Sequence, residues 1–336
     1  MSTQGRILHI LKYLNGFDMP PNQYEIHLDK QPQPLLPLPQ HLSTMANTTI
    51  SYLEVNGTDV FYRQAGPLDV SAPTLLLLHG FPSSSHQFRN LIPILALMGY
   101  RVLAPDLPGF GFTKTPPGFD FTFDNLAKTI DGFVSELALD HFALYVFDYG
   151  APTGFRLALD NPDKIAAIVS QNGNAYEEGF GQEFWAPLMK YWESGSEEDR
   201  NALRSALTFE SNKWQYTNGS PHPEEIQPES YYLDQALLNR EGQDDIQLDL
   251  FYDYRTNVEK YPAWQKYLRE SDVPVLAAWG EHDTIFVPPG AEAFRRDVKN
   301  FDLHFIDAGH FAIETNEQLM ADTMHDFFNK YNVFKS

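Results

Sequence analysis

From residue 50 onward, short apolar runs alternate with stretches in which apolar residues recur every three or four positions. Residues 74–78 (Thr-Leu-Leu-Leu-Leu) are one such run, the pattern of a strand covered on both faces. Residues 101–104, 142–147, 165–170, 273–279 and 303–306 read the same way. Segments 50–55 and 60–63, separated by Asn56 and Gly57, predict a β-hairpin. Between the runs, Phe88, Leu91, Ile92, Leu95 and Met98 fall on one helical face, as do Leu126, Ile130, Phe133, Val134 and Leu137. A last helix is predicted near 316–331. The alternation predicts an α/β class: a mostly parallel, eight-stranded sheet with helices on both faces.

The alternation stops between 172 and 261. That stretch is rich in Tyr, Trp and Glu and reads as helices and loops. It holds 18 acidic and 7 basic residues, a net of −11. A helical insertion between two strands, near the strand ends, predicts a cap over a site. The expected organisation is a core of 46–171 and 262–336, a helical cap of 172–261 and an N-terminal extension of 1–45. The extension carries four prolines between Lys30 and Gln40. Proline fixes φ and lacks an N–H, so this segment is expected to be extended and poorly ordered. Residues 7–14 form an apolar patch without the features of a secretory signal. Met45, just before the first strand, is an alternative start of translation.

Composition removes whole classes of function. The 336 residues include 24 basic and 45 acidic ones, a formal charge of −21. Such a field repels phosphate backbones and anionic lipid, so no nucleic acid and no membrane is expected as a partner. With no cysteine, disulfides, thiolate catalysis and Cys-ligated metals are excluded. No apolar run approaches the roughly 20 residues of a membrane span. Cytoplasm is the default location, and a homodimer is compatible with this composition.

Four segments at predicted strand ends carry chemistry. Leu78-His79-Gly80-Phe81 offers the Phe81 backbone N–H to a developing negative charge. Phe147-Asp148-Tyr149-Gly150 places a carboxylate on a tight strand-to-helix turn; taken alone it also reads as an ordinary helix-capping aspartate. Gly280-Glu281-His282-Asp283 supplies an acid and Gly309-His310-Phe311 a base. His79 and His282 compete with His310 and read as structural, with His79 retained among the pocket candidates. The chain order is nucleophile, acid, histidine.

Together these segments, with Asp106-Leu107-Pro108-Gly109-Phe110-Gly111 and Pro288, resemble the haloalkane dehalogenase/epoxide hydrolase branch of the α/β-hydrolase superfamily over about residues 50–335. The resemblance implies Asp148 as nucleophile, His310 as base, Asp283 as its orienting acid, and the N–H groups of Phe81 and Tyr149 as an oxyanion hole. No metal or cofactor is implied. A carboxylate nucleophile suits displacement at saturated carbon, because the product is an alkyl ester rather than an anhydride. Dehalogenases of this branch place a Trp after the nucleophile; here it is Tyr149. Their second halide donor is an Asn after His-Gly or a cap Trp; Phe81 stands at the first position, which leaves Trp185, Trp192 and Trp214. Epoxide hydrolases protonate the leaving oxygen with cap tyrosines, and Tyr216 and Tyr254 lead a group of eight. Asn172 and Asn174 are further pocket candidates. The expected function is epoxide hydrolysis of a small, neutral, apolar substrate. Haloalkane dehalogenation, ester or lactone hydrolysis and a non-catalytic ligand-binding homologue are the alternatives.

Overall fold

The computed structural model describes residues 47–334; the expectations for 1–45, including the start at Met45, lie outside them. Strands β1 (Thr49–Val55) and β2 (Thr58–Ala65) form the hairpin, followed by β3 (Thr74–Leu78). A 3₁₀ turn (Ser85–Phe88) precedes α1 (Leu91–Leu97), so the predicted first helix is broken near its start. Then come β4 (Arg101–Pro105), α2 (Phe123–Glu136), β5 (Phe142–Phe147), α3 (Gly150–Asp160) and β6 (Ile165–Gln171). The sheet order is β1-β2-β4-β3-β5-β6-β7-β8, with β2 antiparallel to both of its neighbours, β1 and β4, and every other pairing parallel.

Strand β5 explains the sheet's position. Phe142, Leu144 and Val146 enter one hydrophobic cluster, and Ala143, Tyr145 and Phe147 enter the other. Both faces are therefore core, as the continuous apolar run predicts.

Between β6 and β7 lie α4 (Gln182–Ser194), α5 (Glu197–Ala202), α6 (Phe209–Thr217), α7 (Pro228–Leu238), α8 (Gln243–Asp253) and α9 (Arg255–Glu270). The chain then completes β7 (Val275–Gly280), α10 (Pro288–Ala293), β8 (Phe301–Ile306) and α11 (Ile313–Lys330). Two expectations change. Helix α9 runs through 261 and contains Pro262, because its last turns pack on α3, with Trp264 stacked on Phe155 at 5.4 Å. Strand β8 is not buried on both faces. It is the sheet edge, only Ile306 is buried, and Phe305 is 39% exposed.

The inserted helices divide between the two clusters. Trp185, Phe251, Tyr254 and Tyr261 join one, while Tyr216, Ile226 and Tyr231 join the other. That division decides which of them reach the candidate site.

Candidate functional site

The turn after β5 carries Asp148 at φ +46, in the left-handed region. Asp tolerates that region better than most residues, because its short polar side chain finds local partners. The cost is of the kind held at functional sites by surrounding structure. Here the surroundings are tight: a Cβ on Gly80 would lie 2.3 Å from the Asp148 Cβ, so only glycine admits this approach. The Phe81 N–H donates to Asp148 Oδ1 at 2.6 Å, and the Tyr149 N–H also donates to this carboxylate.

His310 follows β8 and faces Asp148 across a gap. Its Nε2 lies 3.9 Å from Asp148 Oδ2, too far for a hydrogen bond, and has no hydrogen-bond partner among the described residues. Its Nδ1 lies 2.8 Å from Asp283 Oδ2. Asp283 in turn accepts from the Ile285 N–H at 2.7 Å and from Asn172 Nδ2 at 2.6 Å. All three side chains are buried.

Burial pushes the Asp148 carboxyl up to about 6, against the opposing pull of His310 and the two N–H donors. At neutral pH it is ionised, a weakly solvated anion held by backbone dipoles. Burial alone would lower His310. The Asp283 carboxylate outweighs it, with help from Asp148, and holds the imidazole above its ordinary value. A buried anion, a faced imidazole and two converging N–H groups can attack an electrophile and then stabilise an oxyanion on the same carboxyl carbon.

Tyr254 reaches this site. Its ring centroid lies 5.8 Å from Tyr149 and 4.7 Å from Trp185. Burial pushes its phenol well above the ordinary range; the neighbouring Tyr261 and the Asp148 charge push the same way, so the phenol sits within electrostatic reach of the carboxylate. It is hydrogen-bonded to Tyr261, whose oxygen also accepts from Asn174 Nδ2 at 3.2 Å.

The other pocket candidates have their polar atoms committed elsewhere. His79 Nδ1 meets Gly80 O at 3.0 Å, and Nε2 accepts from the Leu107 N–H at 2.9 Å. Burial pushes it down to about 4, so it is a neutral brace between two loops. Asn172, at φ +49, uses its oxygen on the Gly280 N–H at 3.0 Å and its amide on Asp283. Both ends of its side-chain amide are thus committed to the loop that carries Asp283 and to its neighbours. Asn174 is bound to both the N–H and the C=O of Tyr176, at 3.2 and 2.7 Å. Tyr216 donates to Asp234 Oδ2 at 2.6 Å on the other side of the sheet. Trp185 donates its indole N–H to Ile285 O at 2.8 Å, leaving only its ring toward Tyr254.

Sequence reasoning missed Gln171, whose amide donates to His310 O at 2.9 Å and to Asn172 Oδ1 at 2.6 Å. Two polar side chains closing the apolar run of β6 were the available signal.

Comparison with known proteins places the chain. Residues 73–317 match the family model described as the alpha/beta hydrolase fold. An uncharacterized hydrolase of Saccharomyces cerevisiae is 50% identical over 277 residues, covering 81% of this chain and 94% of that one. A haloalkane dehalogenase of Psychrobacter cryohalolentis is 40% identical over 114 residues, 34% of this chain and 37% of its own. Epoxide hydrolase 3 of Siraitia grosvenorii is 25% identical over 317 residues, 83% of this chain and 98% of its own. The chain is a hydrolase, and it belongs to the alpha/beta hydrolase fold family.

Proposed function

We propose that this hydrolase opens neutral, apolar epoxides through an ester at Asp148. Asp148 attacks a ring carbon, the C–O bond breaks, and Tyr254 gives its proton to the leaving oxygen. His310 then takes a proton from water, and the hydroxide attacks the Asp148 carboxyl carbon. The N–H groups of Phe81 and Tyr149 hold the oxyanion. Collapse expels the diol oxygen, which takes the proton from His310. The carboxylic acid left on Asp148 passes its proton to the Tyr254 phenolate, restoring the starting state. Asp283 keeps the proton on His310 Nδ1, so that Nε2 is free to act as base.

The observation that carries the epoxide reading is the state of the cap's donors. The Trp185 N–H is held by Ile285 O, and the Trp192 N–H by Phe251 O at 2.6 Å. Trp214 is 39% exposed and stacks on Phe184. None of the three offers an N–H to a halide beside Asp148: an indole N–H is fixed in its ring plane, whereas the buried Tyr254 phenol, which donates to Tyr261, can rotate its O–H toward a leaving oxygen. An alkoxide needs a proton and a halide does not, so a phenol is the donor the first reaction requires. The epoxide hydrolase relative, aligned along most of both chains, supports the same choice. Dehalogenase relatives align over about a third of this chain, which leaves halide release as the rival.

A paired assay separates them. Purified protein is given styrene-oxide-like epoxides with diol as readout, and bromoalkanes with bromide as readout. Diol without bromide is expected. Bromide release without diol overturns the epoxide reading.

A further inference from the structure

Tyr216 is withdrawn from the substrate, yet it is not idle. Its ring lies 3.8 Å from that of Phe311 at an interplanar angle of 13°, a close offset stack on the residue after His310. Its phenol is anchored to Asp234 on α7. Two residues further, Asn218 Nδ2 donates to Thr284 Oγ1 at 2.9 Å, beside Asp283. The Asn218 carbonyl also crosses directly over Gly309, where a Cβ would lie 1.9 Å from that oxygen. Residues 216–218 thus touch both loops that carry the acid and the base. None of these contacts involves Asp148.

We infer that this turn of the insertion is the positioning device for the Asp283–His310 pair, so that the second half-reaction depends on how the cap is seated and the first does not. This rests on the ester mechanism proposed above. Ester formation uses Asp148 and Tyr254, and Tyr254 belongs to the other hydrophobic cluster. Ester breakdown uses His310, whose loop is pinned from outside by Phe311 on Tyr216 and Gly309 under Asn218. A cap that lifts at this point leaves the nucleophile in place and releases the base.

The test uses the full-length protein with Tyr216→Ala, Asn218→Ala and the stack-preserving Tyr216→Phe. Rapid quench and intact mass follow the Asp148 ester in a single turnover with a turned-over epoxide. Nuclear magnetic resonance follows the low-field His310 Nδ1 proton, which reports its bond to Asp283 without any substrate. Tyr216→Ala and Asn218→Ala are expected to form ester within about twofold of the parent rate and to break it down about tenfold or more slowly, the scale of a sub-ångström to ångström misplacement. Ester then accumulates and the proton signal shifts or broadens, whereas Tyr216→Phe stays close to the parent. Equal loss in both steps, or unchanged breakdown with an unchanged proton signal, overturns the inference. If Tyr216→Ala does not fold, Asn218→Ala carries the same readouts. A His310→Gln control that accumulates no ester defeats the ester mechanism instead, and the proton signal still decides whether the turn positions His310.

Discussion

Asp148 is expected to cost the protein stability at neutral pH, and Asp148→Asn to recover it. The folded carboxyl sits at about 6 against an ordinary 3.8. A group whose folded value is raised contributes stability below its unfolded value and loses it as pH rises through the folded one. Two units at about 1.4 kcal/mol each give a cost of about 3 kcal/mol, complete by pH 8 and about half present at pH 5. Asparagine removes the charge, keeps an oxygen for the Phe81 and Tyr149 N–H groups, and tolerates the left-handed backbone. Part of the gain is returned, because His310 loses the attraction of Asp148. A net gain of about 1–3 kcal/mol remains. With an unfolding entropy of about 2.1 cal/mol/K per residue, this is a rise of about 2–5 °C in Tm for a domain of this length. Thermal unfolding by circular dichroism at pH 8 and pH 5 measures it. An unchanged or lower Tm at pH 8, or the same gain at both pH values, would refute the reasoning.

Four further outcomes are expected. Tyr254→Phe should slow epoxide opening by about 10²-fold or more, the usual worth of a positioned acid, with little change in Tm; an unchanged single-turnover rate removes it from the mechanism. The rate of ester formation should fall as pH drops below about 6, because the protonated Asp148 carboxyl is no nucleophile; a flat profile from pH 8 to pH 5 contradicts this. Asp283→Asn should slow ester breakdown by about 10³-fold, through the wrong tautomer of His310, while ester still forms; an unaffected breakdown rate would point to another acid. Gly80→Ala should abolish turnover, since the added methyl meets the Asp148 side chain; full activity in a folded Gly80→Ala protein would show that this approach relaxes freely.

The parts of the molecule legible in the sequence are those governed by burial on two faces and by turn chemistry. The short apolar runs of β3 and β5, set between helical periods, read as central strands, and the ends of β3, β5, β7 and β8 marked the loops with Phe81, Asp148, Asp283 and His310. Side chains whose role depends on which hydrophobic cluster they enter were not legible. Tyr216 and Tyr254 lie in equally polar sequence contexts, yet one stacks on Phe311 and the other packs at a tilt against Trp185 and Tyr149. Nothing local distinguishes them, because the division is set by which hydrophobic cluster α6 and the junction of α8 and α9 pack into. Asn172 was read as a pocket residue from its place just beyond β6. Its left-handed backbone turns the amide toward Asp283 and Gly280 instead. Strand β8 misled for a simpler reason: an edge strand with aromatic residues resembles a central one until its neighbours are known.

In the proposed mechanism the two half-reactions make opposite electrostatic demands on one buried pair, and the covalent step reconciles them. Before attack, Asp148 must be an anion, and its charge helps keep His310 protonated. For hydrolysis His310 must be a neutral base. Once Asp148 is an ester it carries no charge, so the pull it exerted on the imidazole disappears while burial, which favours the neutral ring, remains. His310 therefore loses affinity for a proton at the moment it has to accept one from water. Asp283 cannot supply this change, because its charge is the same in both steps; its task is to hold the ring and its tautomer. The pH dependence of ester breakdown should accordingly lie below that expected for His310 in the free enzyme. Single-turnover breakdown rates set against a titration of the free His310 ring test it, and breakdown that tracks the free-enzyme titration would mean that Asp148 exerts no such pull.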